Sequence, residues 1–271
     1  MNIKLKLKEG KAFQKEQNFE NALKIYSEIL DKFTNHVEAK KQVKKILFSK
    51  FNNSSGLKYF LRFEEKHRKY LEQIKNKKQF YELYFLSKHL LLSFKEEFVI
   101  YNFLSYSAIQ INKNKDALIY LEKSIDLNPN IYETNIQYIN LLFSLGEFKK
   151  AEENIYKLLK NNNKDGYLHR LLSRIKKYKK NNDNHIKELK HLFDNKSVKA
   201  NDKINIGFAL SNALEKVEEY NEGFDYCIRA NEIQDNFLKF DLNQEKIFLE
   251  KIMKVFTKEK ITDLSITQKT K

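Results

Sequence analysis

The stretch from Phe98 to Lys160 reads FVIYNFLSYSAIQINKNKDALIYLEKSIDLNPNIYETNIQYINLLFSLGEFKKAEENIYKLLK, and its second half echoes its first. Tyr101, Leu104, Ser105 and Ala108 are followed by Ala117 and Leu121, and Pro129 closes the copy. Tyr138, Ile139 and Leu142 then precede Gly146, Phe148, Ala151, Ile155 and Leu158. One and the same spacing separates Ala117 from Ala151 and Asn112 from Gly146. Within each copy the apolar residues recur every three or four positions in two runs, which predicts two helices per copy. The alanines mark where those helices cross closely, since a larger side chain would force them apart. Gly146 and Asn112 fall between the two runs, where the chain must leave the first helix through a positive φ.

Working outward, a weaker copy in the same phase carries Tyr70, Leu71, Ile74, Phe80, Leu83 and Leu90, giving units at 64–97, 98–131 and 132–165 within a region 57–165. Two outlying copies are out of phase. One lies in 3–50, with Gly10, Phe13, Phe19, Ala22, Tyr26 and Ile29 followed by a helix over about 37–50. The stretch 51–56, FNNSSG, reads as a loop and hinge. The other copy, 204–237, carries Leu210, Leu214, Tyr220, Gly223, Cys227 and Ala230 inside a helical region 166–256. That region also holds helices over about 167–179 and 185–193. Phe248, Ile252, Val255 and Phe256 give its last helix an apolar face fit to shield the end of a stack, and 257–271 reads as a polar tail. The period and residue pattern resemble the tetratricopeptide (TPR) repeat. The expected fold is all-α: a TPR-type helical-hairpin solenoid, a right-handed superhelix with a C-terminal capping helix.

Composition agrees with helix throughout. The chain has 271 residues, 41% of them hydrophobic, with one proline and six glycines. One cysteine, Cys227, excludes an internal disulfide and a cysteine-based zinc cluster, and suits a reducing cytoplasm. The N-terminus alternates charged and apolar residues, unlike a signal peptide, and no apolar run reaches the roughly 20 residues of a membrane helix. The reading is a cytoplasmic protein with no membrane association. The formal charge of +15 permits polyanion contact. Because lysine rises together with Asn, Ile, Phe and Tyr, all encoded by AT-rich codons, the charge by itself argues little.

From about Leu171 the sequence resembles the helical segment that precedes the catalytic domain in bacterial TPR-sulfotransferases. The residues that carry this are Leu172 to Tyr178, His185-Ile186 with Leu192, Phe208-Ala209-Leu210, Tyr220, Gly223-Phe224, Ala230-Asn231, and Phe248 with Ile252 and Phe256. In that family the next segment is a buried strand leading into a loop whose backbone N–H groups cradle the sulfate donor's phosphosulfate. This sequence reaches Lys271 without such a strand or loop. The resemblance therefore implies the non-catalytic arm of such an enzyme, with a sulfotransferase catalytic domain as a candidate partner, or else an N-terminal fragment of the enzyme.

No phosphate-binding, zinc-protease or nucleophile motif is present. The six histidines are scattered: His185 and His191 do not share a helical face, and His36, His67, His89 and His169 stand alone. No catalytic residue, cofactor or metal is expected. The positions that clamp acidic peptide tails in TPR proteins would be Arg68, Glu72, Phe103, Glu133 and Gln137 here, and the two glutamates disfavour that ligand. The concave groove remains as a partner surface, with Arg68, Glu72, Asn102, Tyr106, Ile136, Asn140 and Phe143 as its candidate residues; packing within the array is the competing reading. Arg170, Arg174 and Lys177 form a second candidate, a basic patch on one helix face. The competing reading there is a solvated helix end favoured by the helix dipole, and the alternative function is a polyanion or nucleic-acid binder using this helix. Nucleic acid is disfavoured, and with only Tyr178 for stacking the patch is no platform for single strands. The expected partner is a protein or peptide.

Overall fold

The computed structural model describes residues 2–53, 65–92, 94–180, 183–236, 242–258, 260 and 262. The described residues hold 14 helices and no strand. Two compact units, residues 1–154 and 155–271, divide the chain within one helix.

The first unit contains α1 (Ile3–Lys15), α2 (Phe19–Lys32), α3 (Val37–Asn53), α4 (Glu65–Asn76), α5 (Phe80–Leu90), α6 (Phe98–Gln110), α7 (Asn114–Leu127) and α8 (Tyr132–Ser144). The boundary falls in α9 (Phe148–Asn161). The second unit continues with α10 (Gly166–Ile175), α11 (Asn184–Asp194), α12 (Ala200–Glu215), α13 (Tyr220–Asp235) and α14 (Leu242–Val255).

Five turns share one geometry. Gln17, Lys78, Asn112, Gly146 and Glu218 have φ of 59°, 55°, 60°, 76° and 63°. In each, the next residue's N–H donates to the carbonyl five positions back, as from Gln79 to Ile74, Lys113 to Ala108 and Glu147 to Leu142. This bond satisfies carbonyls left over at the helix end, and the left-handed residue makes it reachable. Lys78, Asn112 and Gly146 are evenly spaced, so the period is a repeat of turn conformation as well as of apolar residues. A Cβ in the left-handed region is strained, most of all on a residue with no local compensation. Lys78→Gly should therefore raise the unfolding free energy by about 0.5–1 kcal/mol, measured by urea denaturation.

Ala117 and Ala151 are fully buried, as the close helix crossings require. The core of the first unit runs without a break from Leu23, Tyr26 and Ile29 through Ile46 and Leu71 to Leu83 and Ile100. A polar contact ties the N-terminal hairpin to α5. Gln79, the residue before α5, provides no side-chain cap. The Glu20 carboxylate does so instead, accepting from the Tyr81 and Glu82 N–H groups at 2.8 and 2.9 Å. A carboxylate on orphan N–H groups at the positive end of a helix forms strong bonds. Glu20→Gln keeps the shape and removes the charge, and should cost about 1–2 kcal/mol in the same denaturation assay.

Three expectations change. Residues 51–53, read as loop, belong to α3, whose helical spacing of Val43, Ile46 and Leu47 carries it on to Asn53; residues 54–56 of the expected hinge lie outside the described residues. The basic helix ends at Ile175 rather than near Lys179. Lys176 turns to φ −62°, ψ 137°, and the Lys216 ammonium donates to the carbonyls of Ser173, Arg174 and Lys176 at 2.8, 2.9 and 3.2 Å. A cation on the final carbonyls ends the helix and matches its dipole. Last, α14 forms as predicted, but its apolar face is not buried: Phe248 is 57% and Phe256 55% exposed.

Candidate functional site

A groove of about 1030 Å³ opens in the first unit between α2, α3, α5 and the start of α7. Its floor is apolar, formed by Leu30, Val43, Leu47, Phe85, Leu92 and Leu145. Leu92 is 71% exposed, so the floor reaches the surface instead of closing over as core. Helical spacing puts Val43 and Leu47 on one side of α3, and Lys40 and Lys44 one turn apart beside them. Lys88 of α5, with Lys113 and Lys115 at the start of α7, stands on the other wall.

The wall is held in place by Tyr84. Its ring is buried, its hydroxyl donates to Asp116 Oδ2 at 3.1 Å, and the Lys88 and Lys113 ammonium groups lie 5.4 and 5.7 Å from its ring centre. Burial, reinforced by Tyr120 and by the Asp116 carboxylate, pushes the Tyr84 hydroxyl far above its ordinary pKa, so it stays a donor. Lys113 also pairs with Asp31 of α2, fixing the turn before α7 against the N-terminal hairpin. His89, half-buried in the groove, has its pKa lowered by burial and by the nearby Lys44 charge.

None of the seven residues proposed for the concave groove lines this site. Asn102 ties three helices together: its Oδ1 accepts from Ser124 Oγ at 2.6 Å and from Thr134 Oγ1 at 3.1 Å. Glu72 pairs with Lys75 at 3.6 Å, and Lys75 lies 5.0 Å from the centre of the Tyr106 ring. Tyr106 also meets Phe80 edge to face, and Phe143 meets Phe148 in the same way. Ile136 is half-buried, while Arg68 and Asn140 are exposed. Several of these positions thus serve packing within the array. The groove lysines escaped the sequence reading because they come from helices of different hairpins, far apart along the chain, with no shared motif.

In the second unit, Arg170 and Arg174 line a cleft of about 380 Å³ together with Tyr167, Phe208, Asn212 and Glu215. The Arg170 guanidinium lies 4.7 Å from the centre of the Phe208 ring and donates to Asn205 Oδ1 at 3.2 Å. Lys177 does not belong to that face, because the helix has already ended at Ile175 and helical spacing no longer applies.

His169 and His185, separate in sequence, meet in the interior. His169 Nε2 lies 2.9 Å from the Asn163 carbonyl, His169 Nδ1 2.9 Å from His185 Nε2, and His185 Nδ1 2.6 Å from the Tyr178 hydroxyl. The Asn163 carbonyl can only accept, so His169 carries its proton on Nε2 and accepts on Nδ1. His185 then donates from Nε2 and accepts from Tyr178. Burial, then the neighbouring His169 and Lys176, push the His185 pKa down to about 3, so that its ring is neutral near pH 7. The network uses every ring nitrogen internally. Among the described residues no group of three or more His, Cys, Asp and Glu side chains could hold a metal ion, and no helix is long and apolar enough to cross a membrane.

No family model matches the chain. An uncharacterized protein of Aquifex aeolicus (strain VF5) is 24% identical over 194 residues, which cover 72% of this chain and 23% of that protein. The chain thus spans about a quarter of the length of the relative it matches. Among solved structures, a crystal structure of MamA aligns with a TM-score of 0.50 at 16% identity, covering 66% of this chain and 99% of that one. MamA from Desulfovibrio magneticus RS-1, residues 41 to the end, aligns at 0.49 and 12% identity over 62% of this chain and 93% of that one. The MamA likeness shows the fold, an all-α repeat of the TPR type.

Proposed function

We propose that the chain is a non-catalytic helical scaffold that holds a protein partner in the groove between α2, α3, α5 and α7. The observation that carries this is the groove's surface-reaching apolar floor, with the wall of α5 and α7 fixed by Tyr84–Asp116 and tied to α2 by Lys113–Asp31. Rigid apolar concavities of this kind bind without the entropy cost of first ordering the site. The repeat fold supports the reading, since stacked hairpins present long surfaces for partners. The single cysteine supports a cytoplasmic setting.

The resemblance of residues 171–256 to the arm of TPR-sulfotransferases supports a narrower version, in which the scaffold serves a neighbouring catalytic region. The polyanion alternative is not favoured, because its three basic residues do not share a helix face.

A photo-crosslinking amino acid at Leu92, compared with the same group at Arg68 and Asn140, tests the site in cells. The expected result is a discrete protein adduct from Leu92 alone. Adducts from Arg68 and Asn140 without one from Leu92 would move the site to the first helices of the hairpins, and no adduct anywhere would overturn the scaffold reading. Calorimetry against adenosine 3′,5′-bisphosphate should be flat; binding would overturn the non-catalytic part.

A further inference from the structure

The groove's charge is lopsided. Five lysines, Lys40, Lys44, Lys88, Lys113 and Lys115, face two carboxylates, Asp31 and Asp116. Both carboxylates are engaged, Asp31 by Lys113 and Asp116 by the Tyr84 hydroxyl. The excess charge stands on both rims: Lys40 and Lys44 on α3, and Lys88 and Lys115 on the facing side, all four exposed. Between the rims lies the apolar floor, with Phe85 and Leu92 accessible.

We propose that the occupant of this groove is an acidic amphipathic helix of the partner protein, lying with its apolar stripe on the floor and carboxylates toward the lysines of both rims. The proposal rests on the reading of this groove as the partner site. Helices line most of the groove and, among the described residues, no strand edge is offered to an extended peptide. Affinity must come from side chains. A helix with apolar residues at i, i+3, i+4 and i+7 delivers a single stripe to the floor and leaves flanking positions on either side for Glu and Asp. Carboxylates on both flanks would meet rim lysines that the described groove leaves in excess, which steers association and sets polarity against a basic partner.

The test uses a fluorescent model helix of about 18 residues, five turns long, with Leu and Phe in the stripe and Glu elsewhere. Its counterparts carry Lys in place of every Glu, or the same composition scrambled. Binding to the full chain is followed by anisotropy, and equimolar phosphatidylcholine–phosphatidylserine vesicles are tested by flotation. The expected result is saturable binding of the acidic helix, at least about tenfold tighter than the lysine and scrambled versions and weakened several-fold between about 50 and 500 mM salt. The triple variant Lys40→Glu/Lys44→Glu/Lys115→Glu changes only exposed rim positions, and it should lose at least about tenfold in affinity with an unchanged melting temperature. Equal binding of the acidic and lysine helices, binding untouched by the triple variant, or capture by vesicles without binding of the helix would each overturn the proposal. If the acidic helix fails while the Leu92 crosslinker still captures a protein, the acidic occupant is wrong and the scaffold reading stands. If both fail, both fall.

Discussion

Gly166→Ala is expected to lower the unfolding free energy by more than about 3 kcal/mol, although it adds one methyl group. Gly166 opens α10 where that helix crosses the first turn of α12. Its N–H donates to Asp202 Oδ1 at 3.0 Å, and a Cβ there would sit 2.7 Å from the Asp202 Cα and 2.8 Å from its carbonyl carbon. Those atoms belong to a helix backbone and cannot rotate aside, so α10 and α12 must part along their length. Gly146→Ala is the control. A Cβ there meets nothing within 4 Å, and only its φ of 76° penalises alanine, so the expected cost is about 1 kcal/mol. Urea midpoints of the two variants against wild type check both; equal losses would show that the close approach of α10 and α12 does not exist.

Acid should loosen the second unit before the carboxylates of the protein finish titrating. The folded His185 holds its proton only below about pH 3, against an ordinary value of 6.5 in the unfolded chain. Between those values the unfolded state binds a proton that the folded state refuses, so stability falls as pH falls. The contribution is fully present above about pH 6.5, declines by about 1.4 kcal/mol per pH unit below it, and is gone near pH 3. The groups facing the His185 ring are His169, Tyr178 and Lys176, and both His169 and Lys176 push its pKa down instead of stabilising an added charge. Unfolding free energies measured from pH 7 to pH 4, with hydrogen exchange of α11 amides as the local readout, check this. His185→Phe should flatten the slope. An unchanged slope in that variant would mean that His185 is already charged in the folded protein.

The repeat period was legible because it repeats a mechanical requirement, a small residue at a crossing and a left-handed residue at a turn. Asn112 and Gly146 could be read for that reason, as both tolerate positive φ. Lys78 could not, because nothing about lysine signals that conformation, and only the phase of the repeat points to it. The end of α10 was out of reach for a similar reason. Its stop depends on Lys216, 40 residues beyond Lys176, whose ammonium takes the last carbonyls. Periodicity extended the helix to Lys179 and so placed Lys177 beside Arg174. The groove is the clearest case. Its floor and rims combine α2, α3, α5 and α7, while a repeat pattern describes each hairpin only against its own neighbours. His169 and His185 likewise look unrelated until α10 and α11 bring their rings to 2.9 Å.

The bond from Glu20 to the start of α5 bears on how the first unit unfolds. A stack whose hairpins touch only their neighbours can melt from one end, one unit at a time, as a linear chain of weakly coupled elements. Here a carboxylate near the N-terminus spans 61 residues to reach Tyr81, and the bond exists only when α2 and α5 are both formed. Such a contact raises the contact order and couples the hairpins on either side of the span, so fraying from the N-terminus must also give up the capping bonds of α5. The first unit should accordingly lose its helices in one cooperative step, with the protection of α2 and α5 amides collapsing at the same denaturant concentration.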